Sequence, residues 1–313
     1  MTGRMLRYVC VDVFSDSAYR GNPLAVVLDC DDLDAGQMKS VAREFNYSET
    51  VFLGQPTSVG ATVGARIFSP AAELPFAGHP SIGTAMVAAH LGDVLDRQTG
   101  EIILDLPVGP VRVTVEKRTE PYSGSAELTF PGRTEKGPQP PDEKVMADVL
   151  GIPVGEIDTT VGLAAVGAGV RFLIVPLRTL SAMEGIRFDL AAWRAEIGDF
   201  WAPQIYAFTA ASVDSGADFR VRMFSPALGV LEDTGTGAGA VALASYLHGR
   251  RRESELPNFG FVLEQGVELG RASRLECRVA AGDDGTPVIR VKGEVVFVGA
   301  GTRVLPLSGD RPR

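Results

Sequence analysis

The sequence predicts an α/β (α+β) protein made of two similar halves, each with a sheet wrapped around one central helix. Two short stretches 156 residues apart are near-copies of each other: Arg66-Ile-Phe-Ser-Pro-Ala71 and Arg222-Met-Phe-Ser-Pro-Ala227. Each continues through a glycine-rich turn into a run of small and apolar residues, 83–91 in the first half and 239–247 in the second. A repeat near half the chain length is too long for a solenoid, so a duplicated domain explains it best.

The two apolar runs predict buried helices. Residues 82–91 and 241–247 are apolar or small on every side, whereas a surface helix shows one polar face. The glycines just before them, Gly78 and Gly237, leave free backbone N–H groups at a helix N-terminus, which attracts an anion. A second interpretation stays open, in which these glycines only permit tight turns and close packing.

The other elements recur in the same order in both halves. In the first half, Asp34 is the expected N-cap of a helix that ends at Asn46. Alternating and β-rich segments predict strands at 8–14, 24–28, 51–53, 61–68 and 101–116. The second half predicts a turn at Gly169, a helix at 190–197 and strands at 172–175, 205–209 and 219–224.

The polar, proline-rich segment 133–141 is interpreted as a connection between domains. We therefore expect an N-terminal domain at residues 1–128 and a C-terminal domain at residues 129–293. The chain ends in another strand-rich stretch, and its strand at about residues 294–307 is a candidate to return to the first domain.

Composition excludes several classes of protein. The 313 residues carry a net charge of −9 without a basic block, which argues against a nucleic-acid surface. No apolar run reaches the roughly 18 residues that a membrane span requires, and no leader peptide is recognisable. The three cysteines are widely spaced, which suits a reducing cytoplasm. The three histidines are isolated, so we expect no metal site.

A nucleotide cofactor is not expected either. Residues 235–240 match a dinucleotide fingerprint of the G-x-G-x-x-A kind. That fingerprint needs a strand leading straight into it, and Pro226, Gly229 and the acidic pair Glu232-Asp233 occupy that space. We therefore expect neither a metal nor a nucleotide cofactor.

An acid–base group remains: Glu49, His79 and Asp233. Their surroundings resemble the phenazine-biosynthesis PhzF-like family over nearly the whole chain. The matching segments are Gly21-Asn-Pro-Leu-Ala-Val26, Ser48-Glu-Thr-Val-Phe52, Glu73-Leu-Pro-Phe-Ala-Gly-His-Pro-Ser-Ile-Gly-Thr-Ala85, Glu232-Asp-Thr-Gly-Thr-Gly237 and Gln265-Gly-Val-Glu-Leu-Gly-Arg-Ala-Ser273. The block from Pro75 to Ala85 is specific to that family, and the others are weak singly.

The resemblance implies the diaminopimelate epimerase-like fold: two pseudo-symmetric domains, each a curved mixed sheet around a central helix, with the active site in the inter-domain cleft. It also implies a cofactor-free isomerase, in general a homodimer, that moves a proton on a small carboxylic acid. The family's catalytic glutamate falls on Glu49, its histidine on His79 and its aspartate on Asp233. The positions implied to bind substrate are Asn22, Gly78, Thr236, Gly237 and Ala238.

Two positions depart from the family pattern. Ala238 replaces a serine, which removes a hydrogen-bond donor worth about 0.5–1.5 kcal/mol, and Ala272 replaces a proline. Related epimerases use two cysteines as opposed acid and base, and this chain has Ala77 and Thr236 there. Neither residue carries a proton at neutral pH, so two-base inversion is disfavoured and a 1,3-type proton shift by one carboxylate is favoured.

Structural interpretations of the same residues stay open. A glutamate before a strand is commonly a solvated surface residue, and His79 and Asp233 could each cap a helix. Asn22 could shape its turn and not touch substrate.

We expect an isomerase that acts on a small unsaturated amino or hydroxy carboxylic acid, in the biosynthesis of a secondary metabolite such as an antibiotic. The alternatives are an amino-acid racemase or epimerase, and a catalytically silent protein that binds a small acid. The enzyme is expected to be a cytoplasmic homodimer without nucleic-acid or membrane partners.

Overall fold

The computed structural model describes residues 3–91, 99–118, 122–130, 132–210, 216–250, 258–282 and 286–306. The chain divides into two compact units. Unit 1 comprises Met1–Leu128 and Glu294–Arg313, and unit 2 comprises Thr129–Gly293. The final strand, Pro287–Pro306, begins in unit 2 and ends in unit 1, where its second part pairs with the first strand of the chain.

Unit 1 is a mixed sheet. Its strands are β1 (Gly3–Val13), β2 (Asn22–Val27), β3 (Glu49–Gly54), β4 (Val63–Phe68), β5 (Glu73–Leu74), β6 (Thr99–Leu106), β7 (Gly109–Arg118) and β8 (Ser123–Thr129). Strands β1 and β2 are antiparallel, β2 and β3 parallel, and β3 and β4 antiparallel. Strand β4 is parallel to β6, and antiparallel pairs join β6 to β7 and β7 to β8.

Unit 2 repeats this order of pairings. Its strands are β9 (Glu135–Lys136), β10 (Ala164–Ala168), β11 (Val170–Pro176), β12 (Gln204–Ala210), β13 (Phe219–Ser225), β14 (Val230–Asp233), β15 (Phe259–Gln265), β16 (Ser273–Ala281) and the first part of β17 (Pro287–Pro306). From β10 to β13 the pairs are antiparallel, parallel and antiparallel, and β13 is then parallel to β15. Two antiparallel pairs follow, β15 with β16 and β16 with β17. The match confirms the predicted duplicated mixed α/β fold.

Each unit holds one central helix, as the apolar runs predicted. Helix α2 (Gly78–Leu91) is buried continuously from Gly78 to Ala89 and packs against β1, β2, β3, β6 and β7. Helix α6 (Gly237–His248) is buried from Gly237 to Ala244 and packs against β10, β11 and β16. A helix with strands on several sides has no face for water, which is why neither helix carries an Asp, Glu, Lys or Arg.

The repeated arginine forms the same bidentate ion pair with a glutamate in both units. Arg66 donates from Nε and Nη2 to the two carboxylate oxygens of Glu73, at 2.7 and 2.8 Å. Arg222 makes the same two contacts with Glu232, at 2.7 and 2.8 Å. A bidentate pair fixes direction as well as distance. These pairs tie β4 to β5 and β13 to β14, the hairpins that lead into the two central helices.

The remaining helices cover the outer face of each sheet. Helix α1 (Ala35–Phe45) has a capping box between Asp34 and Gln37 and ends at Asn46, whose φ is 55°. The prediction for this helix is thus confirmed at both ends. Unit 2 carries α3 (Glu143–Leu150), α4 (Leu180–Gly185) and α5 (Leu190–Glu196). Among the described residues, no helix is long and apolar enough to cross a membrane.

One element differs from its prediction. Segment 133–141, interpreted from its prolines as a connection between domains, lies entirely within unit 2. Glu135 and Lys136 form β9 and pair with Val166 and Gly167 of β10. The chain instead leaves unit 1 between Leu128 and Thr129, inside β8. Proline-rich composition indicates irregular backbone, but it does not distinguish a linker from a segment that packs onto its own domain.

Candidate active site

In unit 1, three of the predicted site residues converge at the N-terminus of α2. Asn22 begins β2, Glu49 begins β3, and His79 is the second residue of α2. Strands β2 and β3 are parallel, with Leu24 opposite Glu49, so their first residues lie at the same edge of the sheet. The long-range strand pairing therefore gathers residues that are far apart in sequence.

Local turns aim two of these side chains. Gly21 has a φ of +69°, and a Cβ there would lie 2.3 Å from the carbonyl oxygen of Val13, so glycine is required before Asn22. Asn46 ends α1 in the left-handed conformation and turns the chain toward Glu49, three residues later. These turns place Asn22 and Glu49 at the beginnings of their strands.

The three side chains form a compact cluster. Nδ1 of His79 lies 3.3 Å from Oε2 of Glu49 and 3.4 Å from Nδ2 of Asn22. Asn22 is fully buried and His79 is 3% exposed, whereas the side chain of Glu49 keeps 15% of its surface exposed. Glu49 is thus held by the protein and still accessible to a small ligand, unlike the solvated surface glutamate of the alternative interpretation.

His79 is neutral in the folded protein. Burial lowers its pKa from 6.5 to about 3, and a hydrogen bond to the backbone of Pro23 opposes this shift only in part. Its 3.3 Å contact with Glu49 therefore joins a neutral imidazole to the carboxylate and is not an ion pair. Nε2 of His79 is buried and has no hydrogen-bond partner within the described part of the chain.

The backbone of α2 adds N–H donors beside this cluster. The first N–H groups of a helix have no acceptor within that helix, and here they include those of Gly78 and His79. Pro80 has no N–H to satisfy, which suits it to the first turn. The N-terminus of α2 is thus able to receive a carboxylate or a developing negative charge.

In unit 2, the predicted residues surround the N-terminus of α6. Asp233 ends β14, Thr236 is the N-cap residue, and Gly237 and Ala238 open the helix. The hydroxyl of Thr236 donates to Oδ2 of Asp233 at 2.6 Å and makes no capping bond to the helix. The N-cap is thus Thr236 and not Asp233, contrary to the interpretation of Asp233 as a helix cap. Ala238 is 6% exposed and offers this end of the helix only its backbone N–H.

Gln265 braces this turn, a role that the sequence did not reveal. Its Nε2 donates to the carbonyl oxygen of Asp233 and to the hydroxyl of Thr236, both at 2.9 Å. Its Oε1 accepts from the N–H of Thr236 at 3.1 Å. Gln265 is fully buried, and its only sequence signal was its position at the head of a family motif.

Thiol and metal chemistry find no support in the described part of the chain. It contains no cluster of three or more His, Cys, Asp or Glu side chains with the geometry to hold a metal. Cys10, Cys30 and Cys277 are free; burial raises the pKa of Cys30 to about 12 and also raises that of Cys277. Ala77 and Thr236 stand directly before α2 and α6. The carboxylates Glu49 and Asp233 therefore remain the candidates for proton transfer.

Comparisons with known proteins agree with this arrangement. The family model of phenazine biosynthesis-like proteins (PhzC-PhzF) matches residues 11–301. A trans-2,3-dihydro-3-hydroxyanthranilate isomerase from Pseudomonas chlororaphis is 35% identical over 304 residues, covering 96% of this chain and 100% of that protein. An uncharacterized isomerase from Mesorhizobium japonicum is 34% identical over 305 residues, covering 94% and 97% of the two chains.

Solved structures share the fold. A PhzF-family protein from Bacillus anthracis has a TM-score of 0.84 at 20% identity, covering 96% of this chain and 99% of that one. A hydroxyproline epimerase from Agrobacterium vitis has a TM-score of 0.65 at 13% identity, covering 99% and 94%. At these identities the likeness concerns the fold alone, and it confirms the predicted diaminopimelate epimerase-like class. On the family match and the identity to named isomerases, this chain belongs to the phenazine biosynthesis-like (PhzC-PhzF) family and is an isomerase.

Proposed function

We propose that this isomerase works without a cofactor and uses Glu49 to move a proton between two carbons of a small unsaturated amino or hydroxy carboxylic acid. The placement of Glu49 carries the proposal. Its carboxylate is mostly buried, lies 3.3 Å from a neutral imidazole and stands beside the N-terminus of a buried helix. A general base needs this combination of access to substrate and partial removal from water.

The strand registers support a single base. Arg66 of β4 pairs with Phe52, and its repeat Arg222 of β13 pairs with Ala207. Counting back three residues from each partner leads to Glu49 in unit 1 and to Gln204 in unit 2. An amide neither accepts nor donates a proton at neutral pH, so unit 2 has no base at the position of Glu49.

The reaction then requires one shuttle. Glu49 removes a proton from a carbon whose C–H bond is weakened by the adjacent unsaturation, and the electron pair spreads over the conjugated system. The same carboxylic acid returns the proton to another carbon of that system, which is a 1,3-type shift. No atom is gained or lost, so the step needs no redox partner. N–H groups at the start of α2, beside Glu49, stabilise the anion.

Asp233 serves as an orienting group in this scheme. Thr236 and Gln265 hold its carboxylate and backbone through hydrogen bonds of 2.6 and 2.9 Å. A carboxylate fixed in this way can accept a hydrogen bond from a substrate amino or hydroxyl group. Asn22 positions His79, and His79 in turn contacts Glu49.

The substrate class follows from the relatives. Several proteins about 34–35% identical to this chain are named trans-2,3-dihydro-3-hydroxyanthranilate isomerases. We propose an unsaturated cyclic acid of that kind, and we extend the proposal to a cytoplasmic homodimer in secondary metabolism. Inversion of one centre, as in a racemase, is disfavoured because Gln204, Ala77 and Thr236 supply no second proton carrier.

The test uses trans-2,3-dihydro-3-hydroxyanthranilate in D2O, with product conjugation followed by ultraviolet absorbance and label by mass spectrometry. We expect turnover by the wild type. For Glu49→Gln, which keeps the shape of the side chain but cannot accept the proton, we expect a loss of kcat at or above the upper end of about 10²–10⁴-fold. The matched control is Glu44→Gln, because the side chain of Glu44 on α1 is 73% exposed.

Three results would reject the proposal. The first is that Glu49→Gln retains most of the activity. The second is that label enters with inversion at the carbon that lost the proton. The third is binding of the acid without any solvent exchange or turnover, which would identify a silent binding protein.

A further inference from the structure

Six buried polar atoms of unit 2 lack hydrogen-bond partners within the described residues. Three of them lie on the neighbouring strands β12 and β13: Oε1 of Gln204, the hydroxyl of Tyr206 and Oγ of Ser225. Their residues are 5%, 0% and 1% exposed. Native proteins pair nearly all such groups, so each exception calls for a water or a ligand that completes it. Three exceptions on neighbouring strands indicate one common cause.

Gln204 and Tyr206 face the central helix. Along β12 they alternate with Ile205 and Ala207, which belong to the apolar cluster under the outer helices. The ring of Tyr206 lies against α6, since a Cβ on Gly239 would be 2.3 Å from its Cε2. Gly239 is in the first turn of α6, and Gln204 precedes Tyr206 on the same face. In the repeat, Gln204 holds the position of Glu49, which lies beside the N-terminus of α2, and this places Gln204 toward the N-terminal end of α6.

Ser225 joins Gln204 at this end of the sheet. The ladder between β12 and β13 closes with Ile205 opposite Phe224, and Gln204 and Ser225 are the next residues on the two strands. Ser225 does not cap the short 3₁₀ turn Pro226–Leu228 that follows it. Its hydroxyl is therefore not occupied by the turn.

Unit 1 provides an internal comparison. The position of Ser225 in the repeat is held by Ser69, whose hydroxyl accepts from the N–H groups of Ala71 and Ala72. It also donates to the carbonyl oxygen of Ala72 at 3.2 Å. In unit 1 the buried serine thus satisfies its own turn, whereas in unit 2 it does not. The turn after Ser225 therefore does not account for the hydroxyl of this buried serine.

The chemistry of the pair points to a neutral ligand group. The side-chain oxygen of Gln204 accepts a hydrogen bond, and the hydroxyl of Ser225 can donate one. Carboxylates are better matched by the helix N–H groups, and cationic amines by Asp233. A hydroxyl group, which donates and accepts at once, fits an acceptor beside a donor.

We propose that Gln204 and Ser225 form a specificity site for a hydroxyl group of the substrate, at the N-terminal end of α6. The proposal rests on the proposed function, because it concerns the same acid substrate. Gln204 accepts from the hydroxyl and Ser225 donates to its oxygen. The site selects hydroxylated acids over their deoxy counterparts, since a missing hydroxyl leaves both protein groups buried and unpaired.

The test is equilibrium binding by calorimetry of two stable aromatic acids, 3-hydroxyanthranilate and anthranilate, which differ by one hydroxyl. Neither has a proton to shift, so turnover does not enter the measurement. We expect the wild type to prefer 3-hydroxyanthranilate by about tenfold or more, as two net hydrogen bonds imply. Gln204→Met keeps the length of the side chain without an amide and should bring the ratio near one. Ser225→Ala should reduce the ratio by a smaller factor.

Thr84→Val is the matched control, because Thr84 in α2 is 1% exposed and its hydroxyl also lacks a partner in the described part of the chain. This variant should keep the wild-type ratio. If Gln204→Met and Ser225→Ala both keep it too, the three atoms are satisfied by buried water and the proposal is wrong. Equal binding of both acids by the wild type would also overturn it while leaving the proposed function intact. Binding of neither acid would reject the proposed substrate class and this site together.

Discussion

The neutral state of His79 makes the stability of this protein depend on pH in a predictable direction. Burial lowers the pKa of His79 from 6.5 to about 3. Below about pH 6.5 the unfolded chain therefore binds a proton that the folded chain refuses. The stability contributed by neutral His79 is fully present above pH 6.5 and is lost as the pH falls from 6.5 toward 3. The pH dependence of stability therefore has the opposite sign to that given by a histidine in an ion pair.

The size of the effect follows from the same shift. At pH 5 the solution lies about 1.5 units below the ordinary pKa of histidine, and each unit corresponds to about 1.36 kcal/mol. His79 should thus reduce the free energy of unfolding by about 2 kcal/mol between pH 7.5 and pH 5. The loss is large beside a typical total stability of about 5–15 kcal/mol.

The assay is urea unfolding of the wild type and His79→Gln at both pH values. The variant is expected to be less stable at each pH, since it alters a buried cluster, but its pH 7.5 to pH 5 difference should be smaller by about 2 kcal/mol. Groups common to the wild type and the variant cancel in this comparison.

Two outcomes would refute the reasoning. If His79→Gln kept the full wild-type difference, His79 would not be the buried neutral group. If the variant lost more stability at pH 5 than the wild type, His79 would be protonated in the folded protein and paired ionically with Glu49, 3.3 Å away. The histidine would then be an acid in the mechanism and not a neutral hydrogen-bonding partner.

Further predictions concern the site, the core and the absence of a cofactor. Asp233→Asn should lower kcat less than Glu49→Gln, and Thr236→Ala least, because Thr236 carries no proton; a larger loss for Asp233→Asn would reassign the base to Asp233. Gly239→Ala should destabilise the protein by about 1–3 kcal/mol in a urea titration, since the new Cβ would lie 2.3 Å from the ring of buried Tyr206. Dialysis against a chelator should leave turnover unchanged, and activity lost on dialysis and restored by zinc would contradict a cofactor-independent reaction.

The sequence by itself determined the features that short-range chemistry controls. The repeated arginine block predicted two similar units, and the unbroken apolar runs predicted buried helices, which begin at Gly78 and Gly237 as expected. Asp34 and Asn46 predicted the ends of α1 because caps act on backbone groups within a few residues. The family motifs predicted which side chains belong to the candidate site, although their catalytic roles stay predictions.

Only the tertiary structure decided the features that depend on distant contacts. The neutral charge of His79 follows from burial, which no local pattern of residues reveals. The placement of Gln265 and Gln204 follows from strand pairings that join segments far apart in the chain. Segment 133–141 was predicted to be a linker, and a pairing with β10 some 30 residues away placed it in unit 2. Composition records local preference, whereas pairing and burial depend on the whole fold.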